Sequence, residues 1–383
     1  MASDAPRQSV LPPVWQRQIT QMQASVRSGT FSLSSLPGYE PGVPPAVETW
    51  HDIDYLDIYP KIYGSEFGAN GIGRLREVAL TEITQNERFT PFDLDPAYFP
   101  KTALEYGALD IARMKDQSLE YEAQLEKQGI LVHRICYPDP PVGAFGPQRA
   151  TWAANELLIL RGGSVIEKIA ISPLGFGRCE YLAYWAFTNL GIPPILAITG
   201  RGVAEAGPCF WLAEDVFVAA RGLAFNDEGL DQLLPTVRRS SRADEMHTVI
   251  IDCPGGEYFH AGSGVSHHPD MVLGPLDVRK VIAYVPGLDY RSWRWLKENG
   301  YEIVEVERDE QVCFAPANVT IIEPGLVVMH AEAVGAVAAV RKSGVEVIEV
   351  PYSEFLRSGG GLHCSTMRIR RDPGPFSTDQ RVS

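Results

Sequence analysis

The sequence predicts an α/β fold assembled by repetition of one small unit. Two observations carry this. First, four helical stretches end at a glycine and pass directly into an apolar, β-branched run. They are "QSLEYEAQLEKQG" to Gly129 then "ILVHRIC", "YLAYWAFTNLG" to Gly191 then "IPPILAI", "RSWRWLKENG" to Gly300 then "YEIVEV", and "AVGAVAAVRKSG" to Gly344 then "VEVIEV". Second, further strand-like runs lie between these units: "LREVALTEI", "ELLILRGGSVIEK", "EDVFVAARGLAF", "KVIAYV" and "NVTIIEPGLVVMH".

Each element has a local reason. A glycine just past a polar last turn is a helix stop, because it adopts the left-handed conformation that closes the orphan carbonyls. The β-branched run that follows suits a pleated strand. A weaker fifth copy, "LDQLLPTVRRSSRADEMHTVIIDC", lacks the glycine. Five units of strands, helix and strand in one continuous domain fit this pattern; a general layered α/β domain is the alternative. Residues 1–70 read differently. "GTFSLSSLPGYEPGVPPAVETW" is rich in Pro, Gly and Ser, and "VWQRQITQMQASV" before it has the spacing of a short amphipathic helix. The expected division is therefore an N-terminal extension over 1–70, partly irregular, and a single catalytic domain over 71–383.

Composition excludes several function classes. A net charge of −14 lacks the basic footprint that nucleic-acid binding needs. No apolar run is long enough to span a membrane. The start, "MASDAPRQSVLPPVW", lacks the basic and apolar regions of a secretory signal, so a cytoplasmic protein is expected. The six cysteines show neither CxxC pairing nor zinc-ligand spacing. Five of them read as buried small apolar residues.

The sixth, Cys364, ends a glycine run in "RSGGGLHCSTMRIRR". Glycines reach backbone conformations closed to other residues and can present a thiol at a strand start. A reactive thiol needs a lowered pKa, a base and access. In "HHPDMVLGPLD", His268 and Asp270 are two apart, so an extended segment would point both to one face. A histidine there can shuttle protons, and an aspartate can accept N–H groups from a planar cation. Glu205, in "AEAGPCFWLAEDVF", enters an apolar run and needs a partner there. Asn155 begins a strand in "WAANELLILRGG", either lining a cleft or capping a turn. Read alone, each of these has a plain structural explanation.

Together they resemble one family. "SGGGLHCSTMRIRR" is similar to the Gly-Gly-Gly-x-His-Cys-x-Thr signature of the glycine and inosamine-phosphate amidinotransferases. "HHPDMVLGPL" resembles that family's His-x-Asp element, and "EAGPCFWLAEDVFVAARGLAFN" its acidic element with Arg221 and Asn226 at the right distance. The resemblance runs in order from about Leu75 to Arg371. It implies the pentein fold, a five-bladed α/β propeller with pseudo-five-fold symmetry and a central site.

The resemblance also implies chemistry on guanidino groups. Cys364 would be the nucleophile, His268 the general acid/base and Glu205 the acid that charges it. Asp270 and Asn155 would bind substrate, and Arg221 would pair with a substrate carboxylate. The implied reaction is transfer of an amidino group from arginine or a related donor to an amine, through an amidino-cysteine intermediate. Attack by water instead would make the enzyme a guanidino-group hydrolase. A non-catalytic binding protein of the same fold is the third reading. No metal or organic cofactor is required. The expected partners are a small guanidino donor and an amine acceptor, and a homodimer is the family's habit.

Two departures leave a changed donor, a hydrolase or a drifted member open, and Asn155 is the one that favours the hydrolase. Asn155 stands where the family's Pro-Arg-Asp motif has its acid, and an amide offers fewer acceptors and no charge. Pro208 stands where the acidic element usually ends in Asp. His363, beside the nucleophile, should alternate to the opposite face of an extended segment and is read as structural. His260 and His267 are rivals for the base, but neither has Asp two residues on.

Overall fold

The helix-to-strand junctions fold as their sequence suggests. A computed structural model describes residues 20–21, 23–32, 34, 40–43, 53–63, 66–83, 110–135, 142–143, 146–147, 157–168, 179–253, 268–358 and 360–379. Gly129, Gly191, Gly300 and Gly344 have φ of 74°, 71°, 72° and 89°, the left-handed region that ends a helix at little steric cost. The helices they follow are Ile111–Lys127, Cys179–Trp185 with a π-helical continuation Ala186–Leu190, Tyr290–Glu298 and Val334–Lys342. The copy without glycine also forms. Its helix, Asp227–Ser240, is opened by the side chain of Asn226 and closed at Ser241 in extended conformation.

Among the described residues five three-stranded sheets result. The first holds Leu75–Thr81, Leu131–Ile135 and Thr366–Arg371. The second holds Leu157–Leu160, Gly163–Ile166 and Pro194–Ala197. The third holds Phe210–Ala213, Val216–Gly222 and His247–Cys253. The fourth holds Leu273–Asp277, Lys280–Ala283 and Glu302–Glu305, and the fifth Thr320–Glu323, Leu326–His330 and Glu346–Val350. In every sheet the middle strand pairs antiparallel on one side and parallel on the other. Parallel neighbours require a crossover, and one of the helices above supplies it each time. A two-stranded ribbon, Val142–Gly143 with Gly146–Pro147, stands apart. The first sheet takes its antiparallel strand from the far end of the chain, so Thr366–Arg371 beside Leu75–Thr81 joins the two ends.

The core binds neighbouring sheets into a ring. Met367, Ile369 and Ala79 of the first sheet pack with Leu157 and Ile159 of the second. Leu158 and Val165 of the second share a cluster with Phe210, Phe217 and Val249 of the third, which continues to Leu273 and Val281 of the fourth. Leu276 and Ile282 pack with Ile321 and Val327 of the fifth, and Ile322 and Val328 return to Leu75 and Val78 of the first. At roughly 2 kcal/mol per fully buried aliphatic side chain, these shared clusters make separate melting of single units unfavourable.

Several elements depart from the sequence reading. Phe210–Ala213 is a strand and Arg308–Phe314 is a helix, neither of them expected. Cys209 and Cys253 are buried as expected, but Cys313 is exposed on its short helix. Cys136 and the side chain of Cys179 lie outside the described residues. Residues 20–21 and 23–27 are helical, and Tyr55–Tyr63 forms a further helix whose Tyr63 ring lies 6.3 Å from Phe187. Among the described residues no helix is long and apolar enough to cross a membrane.

Candidate active site

The loops leading into the antiparallel edge strands of four sheets meet at one cluster. Glu205 precedes Phe210–Ala213. Its backbone N–H donates to Ala224 O, and the next residues turn sharply, with Cys209 N–H donating to Ala206 O at 3.0 Å. Gly207 N–H donates to the buried carboxylate of Glu167 at 2.9 Å, and Arg368 donates to Gly207 O at 2.8 Å. Pro208 sits within this turn. The chain is thereby fixed where Glu205 Oε2 lies 2.6 Å from His268 Nε2.

His268 opens a short 3-10 turn, Pro269–Met271. This corrects the expectation of an extended segment. Proline at the start of the turn presets it, and His268 and Asp270 diverge to different partners. Asp270 is 1% exposed, and its Oδ2 accepts from His363 Nδ1 at 2.8 Å and from Asn318 Nδ2 at 3.0 Å. Its Oδ1 is buried and has no hydrogen-bond partner among the described residues.

Cys364 sits just before strand Thr366–Arg371, in a turn rather than a strand. The turn explains a second correction. His363 does not alternate away from the thiol; both side chains reach Asp270, with Cys364 Sγ 3.5 Å from the same Oδ2. Arg368 grips the turn by donating to His363 O at 3.2 Å. Tyr121 backs it by bonding both Thr320 and Thr366 at 2.9 Å. Gly361 contributes room rather than unusual torsion, since its φ is not positive, and Gly359 lies outside the described residues. A Cβ on Gly361 would stand 2.7 Å from Asn318 Oδ1.

Asn318 is the residue that sequence reasoning missed. It is fully buried and precedes strand Thr320–Glu323, as Cys364 precedes its own strand. Its Nδ2 lies 3.0 Å from Cys364 Sγ, and its Oδ1 accepts from the backbone N–H groups of His363 and Cys364 at 2.9 and 3.2 Å. The signal available was positional: a polar residue just ahead of the first strand of a repeat.

The electrostatics set protonation states. Burial works against charge on His268, but the hydrogen bond to Glu205, that carboxylate's charge and Asp270 outweigh it and raise the pKa. Burial likewise opposes charge on Asp270; the hydrogen bond from His363 and the nearby positive groups win and hold it below the usual carboxylate value. His363 is pushed down to about 4 by burial and by Arg368, so it is a neutral donor to Asp270. Burial, with Asp270 adding, pushes the Cys364 thiol well up, while Asn318 and a backbone hydrogen bond pull it back. The sequence reading expected a lowered value. In the unliganded site burial, with the negative charge of Asp270 beside it, favours the protonated thiol.

One sequence-proposed binding residue stands elsewhere. Arg221 is exposed at a strand end and pairs with Asp227 at 2.9 Å; none of its described contacts is with the cluster. Its strand runs on into helix Asp227–Ser240, whose first turn offers the nearer carboxylate. Asn155, His260 and His267 lie outside the described residues.

Comparison with known proteins agrees with this architecture. A family model for arginine deiminase matches residues 278–371. The 2-nitroimidazole nitrohydrolase of Mycobacterium sp. (strain JS330) is 35% identical over 362 residues, covering 92% of this chain and 95% of the relative. Among solved structures, the N-terminal domain of ArgZ, an arginine dihydrolase of cyanobacteria, superposes with a TM-score of 0.57 at 15% identity, covering 76% of this chain and 96% of that one. SxtG, an amidinotransferase from Microseira wollei, gives 0.54 at 15% identity, covering 79% and 96%. At such identities the structures establish the pentein fold alone. The near-complete match at 35% identity goes further: the chain belongs to the family of the 2-nitroimidazole nitrohydrolase, within the superfamily of guanidino-modifying penteins.

Proposed function

We propose that the protein is a hydrolase that displaces a substituent from a carbon bonded to three nitrogens, through a thioether intermediate on Cys364. A 2-nitroimidazole is the substrate class we place first. The observation that carries the reading is the meeting of Cys364, Asp270 and the His268–Glu205 pair in one buried cluster. C2 of a 2-nitroimidazole has the same neighbours as a guanidinium carbon: three nitrogens and no hydrogen. A site of pentein type therefore meets the same electrophile in either molecule.

The steps balance without a cofactor. Asp270 Oδ1, buried and unpartnered among the described residues, accepts the ring N–H and fixes the plane. The Cys364 thiol gives its proton up to solvent as the sulfur bonds to the carbon. The carbon–nitrogen bond breaks, and nitrite leaves with the electron pair. Water, giving a proton to neutral His268, then adds to the same carbon. The carbon–sulfur bond breaks, the sulfur leaves and is reprotonated, and an imidazolone is released. Nitrite is a weak base and departs unprotonated, so His268 acts chiefly on the water.

A second reading is hydrolysis of a guanidino compound. The raised pKa of His268 favours it, because an amine leaves only when protonated. Discharge of the same intermediate by an amine would be amidino transfer, the activity implied by the glycine-rich cysteine motif. Hydrolysis is placed ahead because the 35% identical relative is a nitrohydrolase. The five repeated sheets support a five-bladed propeller over residues 71–383, with 1–70 as an extension, and this division is part of the proposal. The test is product analysis: nitrite from 2-nitroimidazole, against citrulline, ornithine and ammonia from arginine, each beside Cys364→Ala. Nitrite release that needs Cys364 supports the first reading. Arginine products without nitrite replace it with the second.

A further inference from the structure

Asn318 is polar, uncharged and wholly buried, so its role is not proton transfer. Its orientation is fixed by its surroundings. Two backbone N–H groups, those of His363 and Cys364, point at one end of its amide, and only an oxygen can accept from both. The nitrogen must therefore face the other way. There it meets Cys364 Sγ and Asp270 Oδ2, each at 3.0 Å, with Asp270 O at 3.3 Å and Met271 Sδ at 3.4 Å beyond. One rigid group thus touches the candidate nucleophile from both sides, at its backbone and at its sulfur, and the same group holds the substrate-facing carboxylate.

We infer that Asn318 is a positioning residue that sets the reactivity of Cys364, locking the cysteine turn through its oxygen and stabilising the thiolate through its amide N–H. A hydrogen bond to a charged sulfur is stronger than one to a neutral thiol, so the bond favours ionisation. Burial and Asp270 act in the opposite direction on the same sulfur. Asn318 is the side chain that counters them. The glycine before the motif serves this contact, since a side chain at Gly361 would occupy the space of Asn318 Oδ1.

The inference rests on Cys364 being the nucleophile, and the test separates the two. The rate of Cys364 alkylation by iodoacetamide is followed from pH 7 to 10 by peptide mass spectrometry, in the full-length chain and in Asn318→Ala and Asn318→Asp. Thermal melting is recorded for each, and turnover is recorded beside Cys364→Ala. Asn318→Asp keeps the shape and the acceptor while replacing the donor with a charge. The expected result is a folded protein whose alkylation falls about ten- to a hundredfold below the midpoint, as loss of a hydrogen bond to a charged group implies, and more in the Asp variant than in the Ala variant. Turnover should fall in parallel. Alkylation profiles unchanged in folded variants overturn the inference, and so does a failure of both variants to fold, which would make Asn318 structural. Full turnover by Cys364→Ala would instead overturn the proposed function, whatever the Asn318 variants do.

Discussion

His268 Nε2 stands 2.6 Å from Glu205 Oε2 in a buried setting, and the carboxylate keeps the imidazole readily protonated against the cost of burial. The two residues come from different sheets and are held by different turns. Their pairing makes the site's acid and base one unit. How far turnover depends on that unit is set by the leaving group.

Glu205→Gln tests this dependence. The substitution removes the charge that raises the histidine pKa, so His268 loses its proton at lower pH. With an amine leaving group, turnover should fall by about a hundred- to ten-thousandfold, with the alkaline limb of the pH–rate profile moving down. With nitrite as leaving group, thioether formation should be much less affected, and hydrolysis of the adduct should become the slow step. Rapid-quench kinetics of the two half-reactions distinguishes the outcomes.

Asp270→Asn should disable the site without unfolding the protein. The carboxylate accepts from His363 and Asn318 and leaves Oδ1 for substrate. An amide would face the N–H groups with one acceptor only. Loss of substrate binding and turnover by at least about a hundredfold is expected, with melting lowered by the equivalent of roughly 1–3 kcal/mol from the unsatisfied buried donor. Calorimetric titration with substrate and thermal denaturation read the two effects separately.

Gly361→Ala is a milder probe of the cysteine turn. Its new methyl would press on Asn318 Oδ1 from 2.7 Å. The amide must shift, so Cys364 alkylation and turnover should fall together by more than the overpacking cost of about 1–3 kcal/mol in stability would suggest. Unchanged alkylation would mean that the turn relaxes around the methyl.

His330 makes an acid-stability prediction away from the site. It is fully buried, both ring nitrogens lack side-chain partners among the described residues, and burial depresses its pKa to about 4. A depressed histidine contributes stability that is present above its unfolded value near 6.5 and is lost as pH falls through about 4, because the unfolded chain takes up the proton first. The loss amounts to on the order of 3 kcal/mol. His330→Leu should flatten the urea-midpoint profile between pH 6.5 and 4 relative to the parent chain. An unchanged profile would show that other groups dominate acid unfolding there.

Much of the fold was legible because helix stops are local. Gly129, Gly191, Gly300 and Gly344 each announce the end of one helix and the start of a strand, whatever the rest of the chain does. Phe210–Ala213 was not legible because the strand is short, and Leu273–Asp277 was expected only through the resemblance of the His-x-Asp element ahead of it. The candidate nucleophile, base and acids were named through motif and order, and the fold brings Cys364, His268, Glu205 and Asp270 together. The relation between His363 and Asp270 was not, because strand alternation was assumed where the chain turns. Asn318 carried no chemical signature at all. A buried amide acquires its meaning only from the groups that two distant loops bring to it.

The most direct test of the central claim is intact-protein mass spectrometry of the full-length chain, quenched in acid within milliseconds to seconds of mixing with 2-nitroimidazole. The expected result is a transient adduct of the substrate ring without its nitro group, mapped to Cys364, absent in Cys364→Ala, and decaying in step with nitrite and imidazolone in buffer alone. Nitrite released at full rate by Cys364→Ala, or by the parent chain with no adduct at any time, would contradict covalent catalysis by Cys364.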